Sequence, residues 1–339
     1  YYEAIPENNY HGDITVESVT IKTYADATAV MAALNAGEID CYYAYSSPID
    51  YTLMDMISDP AVDKGESVYS GCNQMTFGMT RKAGSDYNFR LAVTKAMDWA
   101  LLSKTIGGDD AVIPCAGIIP PSCNGYVEGL PQFAQDVEEA KKILDDAGYL
   151  DVNADGFREF PDGSEMKILV VPHYSKDMNL RNRIAEVIVD NLASVGVNAY
   201  VDQSIIVNSE VWESNIKEGN YDIAIGYTTA GMARHTSAFR YYVYEPKPGT
   251  DRNASWLWGT YTDPTFNETV WRMLGAHSSE EYLECITYLQ NEAAKTLFGT
   301  ALSWTSCYYP YRTDKYENWY NRASWGVVND ELWYTLTAK

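Results

Sequence analysis

Residues suited to chemistry are few and scattered. The chain has four histidines, His11, His173, His235 and His277, and no GxSxG, HExxH or glycine-rich phosphate loop frames any of them. A lone histidine is more often a hydrogen-bonded structural residue than a base or a ligand. Carboxylates are abundant, and a two-carboxylate glycosidase needs only that its partners meet in space. A secreted glycan-active enzyme therefore stands as the reading from a different class. The densest oxygen-rich stretch is Asp151-Val152-Asn153-Ala154-Asp155-Gly156. It matches the calcium loop D-x-N-x-D-G, in which alternate side-chain oxygens face one side of a turn and glycine permits the bend. Asp162 stands where an EF-hand places its bidentate glutamate, and a strand rather than a helix follows. The stretch reads either as a calcium site of Asp151, Asn153, Asp155 and Asp162 or as an acidic surface turn; no other cofactor is implied.

Six cysteines, at 41, 72, 115, 123, 285 and 307, form no CxxC, and histidine is too sparse for a zinc cluster. Cys115 and Cys123 flank a proline-rich loop, and Cys41 and Cys307 both follow expected strand starts. Each pair reads equally as a disulfide or as two buried thiols.

The 339 residues are enough for two lobes with separate cores. A net charge of −22 argues against nucleic acid or an anionic membrane as the main partner. No run of eighteen apolar residues offers a membrane span. Tyr1 to Pro6 lacks the basic start and apolar core of a signal peptide. Tyrosine, at 28, and tryptophan, at 9, are abundant enough to line a ligand cleft as well as a core.

Any site must be held by the elements around Asn88 to Ser122. Phe89, Ala92, Val93, Ala96, Met97, Ala100 and Leu101 recur at helical steps, with Asn88 as cap and Gly107-Gly108 as terminator. Beyond them Pro114, Gly117, Pro120 and Pro121 forbid regular structure, while Ile113, Ile118 and Ile119 still require burial. Strands are expected at 16–21, 39–43, 67–79, 167–171, 197–201, 221–227 and 301–309. Helices are expected after Asp26, over 48–58, over Val137 to Ala147, over 180–192, and after the caps Ser209, Asp263-Pro264 and Ser279, the last with Leu283, Ile286, Leu289, Ala293 and Leu297 in phase. Alternating strands and helices make an α/β layered architecture.

Several of these stretches resemble one family, the extracytoplasmic solute-binding proteins of ABC importers that capture oligopeptides, dipeptides, nickel chelates and some sugars. Phe89-Arg90-Leu91-Ala92, Ala96-Met97-Asp98 and Ile118-Ile119-Pro120-Pro121 follow its "vRxAl..aiDr" helix and "g.ipp" loop, with Trp99 in place of the usual basic residue. Ala33 to Asp40 resembles "aL.aGeiD", Ala140 to Tyr149 "A..LL.eaGy", and Tyr221 to Tyr227 "yDl.l.gw".

The resemblance implies a periplasmic-binding-protein-like two-lobe α/β fold (type II, cluster C). Residues 1–78 and 305–339 would belong to lobe 1 and 79–304 to lobe 2. The chain starts at the family's "Np.Yw" segment, here Asn8-Asn9-Tyr10, so the earlier part of lobe 1 and a small extra domain are expected to precede it. The resemblance also implies a cleft lined by Tyr45, Ser46, Tyr69, Cys72, Asn73, Gln74, Tyr227, Thr228, Thr229, Arg234, His235, Trp256 and Trp258. Aromatics with amides suit a ligand that has an apolar face and polar edges. Peptide-binding members place an aspartate just after the "gw" pair, whereas Tyr227 to Met232 contains no acid.

The resemblance implies an extracytoplasmic receptor without catalysis. It would bind a peptide or related small solute and hand it to importer permease subunits, meeting the membrane only through the importer or an N-terminal lipid anchor. A nickel-chelate, metallophore or oligosaccharide receptor of the same fold is the alternative.

Overall fold

The computed structural model describes residues 2–3, 14–43, 48–174, 178–229, 239, 260–322, 326–327 and 329–339. The chain divides into two compact units. The first comprises Tyr1–Gly71, Thr229–Met232 and Thr305–Lys339; the second comprises Cys72–Thr228 and Ala233–Trp304. The division falls at Gly71, inside one continuous strand, where the sequence placed it after residue 78.

In the first unit, Asp26 caps helix α1 (Ala27–Asn35) by accepting from the Ala29 N–H at 2.8 Å. Val30, Met31 and Leu34 pack with Ile49, Met54 and Tyr308. Gly37 follows at φ 71°, a conformation glycine adopts without strain. The buried guanidinium of Arg312 donates to the Leu34 carbonyl at 2.6 Å and pairs with Asp59 at 2.9 Å and Asp314 at 2.8 Å. Those partners tie the Ala33 to Asp40 motif to the C-terminal segment. The strand expected over 39–43 is a single bridge, Cys41 to Tyr311, and the helix expected over 48–58 is a 3₁₀ helix, Tyr51–Met56, capped by Asp50. Of the strand expected over 16–21 only Ser18–Val19 forms, and Ile21 is exposed.

The second unit holds the greater part of a five-stranded sheet, some of whose strands cross the division between the units. Its strands are β1 (Glu66–Phe77), β2 (Ile168–Pro172), β3 (Ala199–Tyr200), β4 (Ile223–Thr229) and β5 (Gly299–Tyr308), in the order β3-β2-β4-β1-β5. β2 runs parallel to both β3 and β4, with Ile168 opposite Ala199 and Val170 opposite Ile223. Strand alternation divides the side chains between two cores. Ile168, Val170, Ile223 and Ile225 enter one, and Leu169, Val171 and Ala224 enter the other. Covering on both faces explains why β2 is apolar throughout.

The covering helices are α2 (Tyr87–Ala96), α3 (Trp99–Gly107), α4 (Val137–Asp146), α5 (Asn179–Ser194), α6 (Ser209–Lys217), α7 (Pro264–Leu274) and α8 (Ser279–Thr296). The stretch expected as one helix from Asn88 is two. Asp86 caps α2 through the Asn88 N–H, and Asp98 caps α3 through the Leu101 N–H at 2.9 Å. The break at Met97 re-phases the second helix, so Trp99, Leu102 and Ile106 are buried while Leu101 is exposed. Asn208 rather than Ser209 caps α6, and Ser278 rather than Ser279 caps α8. Leu283 is exposed although Ile286, Leu289 and Ala293 are buried. Among the described residues no helix is long and apolar enough to cross a membrane.

Candidate functional site

In open α/β sheets, ligands bind outside the carboxyl ends of the strands. In the second unit that end is marked by Pro172, which closes β2, and by Tyr227 and Thr228 near the end of β4. His173 comes directly after β2 and stays tied to the sheet, its backbone N–H donating to the Ile225 carbonyl at 2.8 Å. Its ring packs edge-on against Trp212 of α6, centroids 4.5 Å apart at 73°. Burial, and secondarily the charge of Arg181, push the imidazole down to about 4, so it is neutral at physiological pH. Arg181, in the first turn of α5, donates through Nη1 to the Asn73 amide oxygen on β1, and both residues are buried.

Asn73 and Gln74 therefore lie buried on β1, the strand beside β4 that carries Tyr227, Thr228 and Thr229; Tyr69 and Cys72 also lie on β1. Tyr45, Ser46, Arg234, His235, Trp256 and Trp258 lie outside the described residues. His173, Arg181 and Trp212 were not among the residues expected to line a site. Arg181 carried a signal: it is in helical phase with Ile184, Ala185 and Ile188, a basic residue on an apolar face.

Asp222 belongs to the sheet. It is buried, accepts from the Leu169 N–H at 2.9 Å, and lies 3.4 Å from Nε of Arg81. The acidic loop folds on itself. The side chain of Asp151 accepts from the Gly156 N–H at 3.0 Å, that of Asn153 from Asp155 at 2.8 Å, and that of Asp155 from Phe157 at 2.8 Å. Ala154 and Gly156 adopt φ of 63° and 92°. Glu159 closes the loop, accepting from the Val152 N–H at 2.9 Å and the Asn153 amide at 2.7 Å. Asp162 turns to Lys82 and Ser164 instead. Among the described residues no three His, Cys, Asp or Glu side chains converge as metal ligands.

The two candidate disulfides are replaced by thiols: Cys41, Cys115, Cys123 and Cys307 are all in the reduced form. Cys115 Sγ instead accepts from the Gly117 N–H at 3.4 Å and the Tyr126 hydroxyl at 3.8 Å. Burial pushes the Cys41 and Cys123 thiols up to about 12, which leaves them unreactive at neutral pH.

A family model described as bacterial extracellular solute-binding proteins, family 5, matches residues 3–250. The oligopeptide-binding protein AppA of Bacillus subtilis is 26% identical over 200 residues, which cover 56% of this chain and 34% of that protein. Heme-binding protein A of Haemophilus influenzae is 28% identical over 196 residues, covering 56% and 32%. The matches thus span about a third of the length of these curated relatives. Among solved structures, NikZ from Campylobacter jejuni in complex with Ni(L-His) superposes with a TM-score of 0.74 at 17% identity, over 97% of this chain and 63% of that one. With the family match covering most of the chain, the chain belongs to the family 5 bacterial extracellular solute-binding proteins.

Proposed function

We propose that this chain is the solute-binding part of an extracytoplasmic receptor that delivers a small solute to an ABC-type importer and performs no chemistry. The observation that carries the reading is the family match over residues 3–250. It is supported by an α/β sheet that is parallel across β3, β2 and β4, with His173 directly after β2 and Arg181 bonded to Asn73 of β1. An amide, an imidazole and a guanidinium can each bind and orient a solute. The permease subunits would be the protein partner, and contact with the membrane would come through them or through a lipid anchor.

The solute class is narrower than the family's range. The relatives' names speak of oligopeptides, heme and a nickel–histidine complex. In this chain Asp222 is committed to the sheet, and residues 227–232 contain no acid to meet a peptide's ammonium group. That combination favours a solute rich in acceptor oxygens, such as a carboxylate, an oligosaccharide or a metal chelate. Thermal-shift screening against such solutes, run beside a turnover screen on glycans, tests the reading. Saturable stabilisation without turnover is expected. Release of reducing sugar by the purified chain, lost on replacing one carboxylate, would establish the glycan-active enzyme instead.

A further inference from the structure

We infer that the turn at Ile118 is a two-state latch: Trp304 of β5 holds it in a strained form, and release of the indole lets it relax. The inference is independent of the solute and of the proposed function.

The turn lies in a strap, residues 112–127, that is fastened at both ends. At one end Val112 and Trp304 exchange backbone hydrogen bonds at 3.0 and 3.1 Å. At the other, the buried side chain of Gln290 on α8 accepts from the Val127 N–H at 3.0 Å and donates to the Gly125 carbonyl at 2.7 Å. Between these fastenings Ile118 has a φ of 74°, which crowds its β-branched side chain against its own backbone. Such an outlier persists only where the surroundings over-determine it, and outliers of this kind gather at clamps and switches. The hydrogen bond that the Ile118 carbonyl accepts comes from the indole N–H of Trp304, at 3.0 Å. The strain of the turn and the worth of one such hydrogen bond are of the same order. Two forms that differ so little in free energy are both populated, the relaxed one as a minor state.

In the relaxed form Ile118 returns to negative φ and its carbonyl leaves the indole. Gly117 lets the chain reopen there, because glycine accepts either sign of φ. A side chain in its place is not accommodated: a Cβ on Gly117 would lie 2.5 Å from Leu130. β5 runs on past Trp304 to Tyr308, so a shift of that strand carries the indole with it. The state of the turn then follows the position of the strand.

The test is relaxation-dispersion NMR on the Ile118 and Ile119 amides and the Trp304 indole N–H, in the wild-type protein and in I118G, I119G and W304F. The wild type should show one shared exchange process on the microsecond-to-millisecond scale, with a minor form of about 1–10%. Ile118→Gly removes the penalty for positive φ and should lower the minor population by about fivefold or more. Ile119→Gly removes an equally buried side chain without relieving the turn, and should leave the exchange in place. Trp304→Phe keeps a ring but loses the donor, and should raise the relaxed population by about fivefold or more. Flat profiles at all three groups in the wild type would overturn the inference. So would exchange that persists unchanged in I118G, exchange that I119G suppresses as fully as I118G does, or a relaxed population in W304F no larger than in the wild type. The wild-type profiles can overturn the inference alone, so a variant that fails to fold leaves the others to decide it.

Discussion

The indole N–H of Trp304 donates to the backbone carbonyl of Ile118 at 3.0 Å, and Ile118 has a φ of 74°. The Ile119 N–H closes on the Gly117 carbonyl at 2.9 Å, so the three residues form a γ-turn of the strained, positive-φ kind. For a β-branched residue this conformation costs on the order of 1–3 kcal/mol. The surroundings hold it there. Trp304 exchanges backbone hydrogen bonds with Val112 at 3.0 and 3.1 Å, and buried Gln290 clamps Gly125 at 2.7 Å and Val127 at 3.0 Å.

Two substitutions separate strain from packing. Ile118 and Ile119 are equally buried, so replacing either by glycine removes a similar apolar side chain, at a cost of roughly 2–5 kcal/mol. Ile118→Gly also relieves the turn and should be the milder by about 1–2 kcal/mol in urea unfolding. Equal losses would mean that the turn is unstrained. Trp304→Phe, which leaves the Ile118 carbonyl without its indole donor, should cost about 1–3 kcal/mol.

Much of the second unit was legible because its signals are local. Asp263 caps the helix that follows through a side-chain oxygen, as Asp26 does in the first unit, and Gly196, at φ 78°, follows the end of α5. The break at Met97 was not legible, because the apolar period runs through it; Asp98 looks like a mid-helix acid until the Leu101 N–H is seen to need a cap. The site was less legible for the opposite reason. Arg181 and Asn73 meet only after β1, β2 and α5 have assembled, and no spacing in the sequence encodes that meeting. Tyr227 to Thr229 could be placed on a strand, but the neighbours of that strand come from the sheet order.

His173 makes stability depend on pH with a definite sign. Its folded-state value is pushed down to about 4 by burial and by Arg181, while in the unfolded chain it lies near 6.5. The unfolded chain therefore binds more protons between those values, and stability falls as pH drops from about 6.5 to about 4. The loss from this group is at most about 3 kcal/mol. His173→Gln should flatten the dependence in that window. A wild-type curve flat from pH 7 to 4.5, with the imidazole still neutral by NMR, would contradict the linkage.

The acidic loop carries an expectation for calcium. Asp151, Asn153 and Asp155 each direct one oxygen to a backbone N–H of the loop, which leaves the second carboxylate oxygens of Asp151 and Asp155 for a cation. Glu159 and Asp162 are engaged elsewhere, so binding should be at the weak, millimolar end of the calcium range. Five millimolar calcium should then stabilise the protein by about 1–2 kcal/mol, read as a rise in melting temperature that magnesium does not reproduce. Asp155→Ala should abolish the rise. A melting temperature indifferent to calcium would leave the loop as a self-capped turn.

Asp222 decides how the amino terminus of a peptide would be received. Its carboxylate joins β2 to β4 through the Leu169 N–H at 2.9 Å and faces Arg81 at 3.4 Å, and it is only 4% exposed. A carboxylate so placed is structural. Asp222→Ala should cost about 3 kcal/mol by leaving the Leu169 N–H unpaired and Arg81 without its counter-charge. An ammonium buried elsewhere in the cleft without a partner would be costly to desolvate, so peptides with a free amino terminus should be poor solutes. Calorimetry of di- to pentapeptides against oligosaccharides and Ni(L-His) measures this directly. The expected order places the acceptor-rich solutes first, with no gain when a peptide is left unacetylated. Submicromolar binding of an unmodified peptide, lost on acetylation, would show that an acid does meet the ammonium group. Retention of that binding in Asp222→Asn would then place the acid elsewhere in the chain.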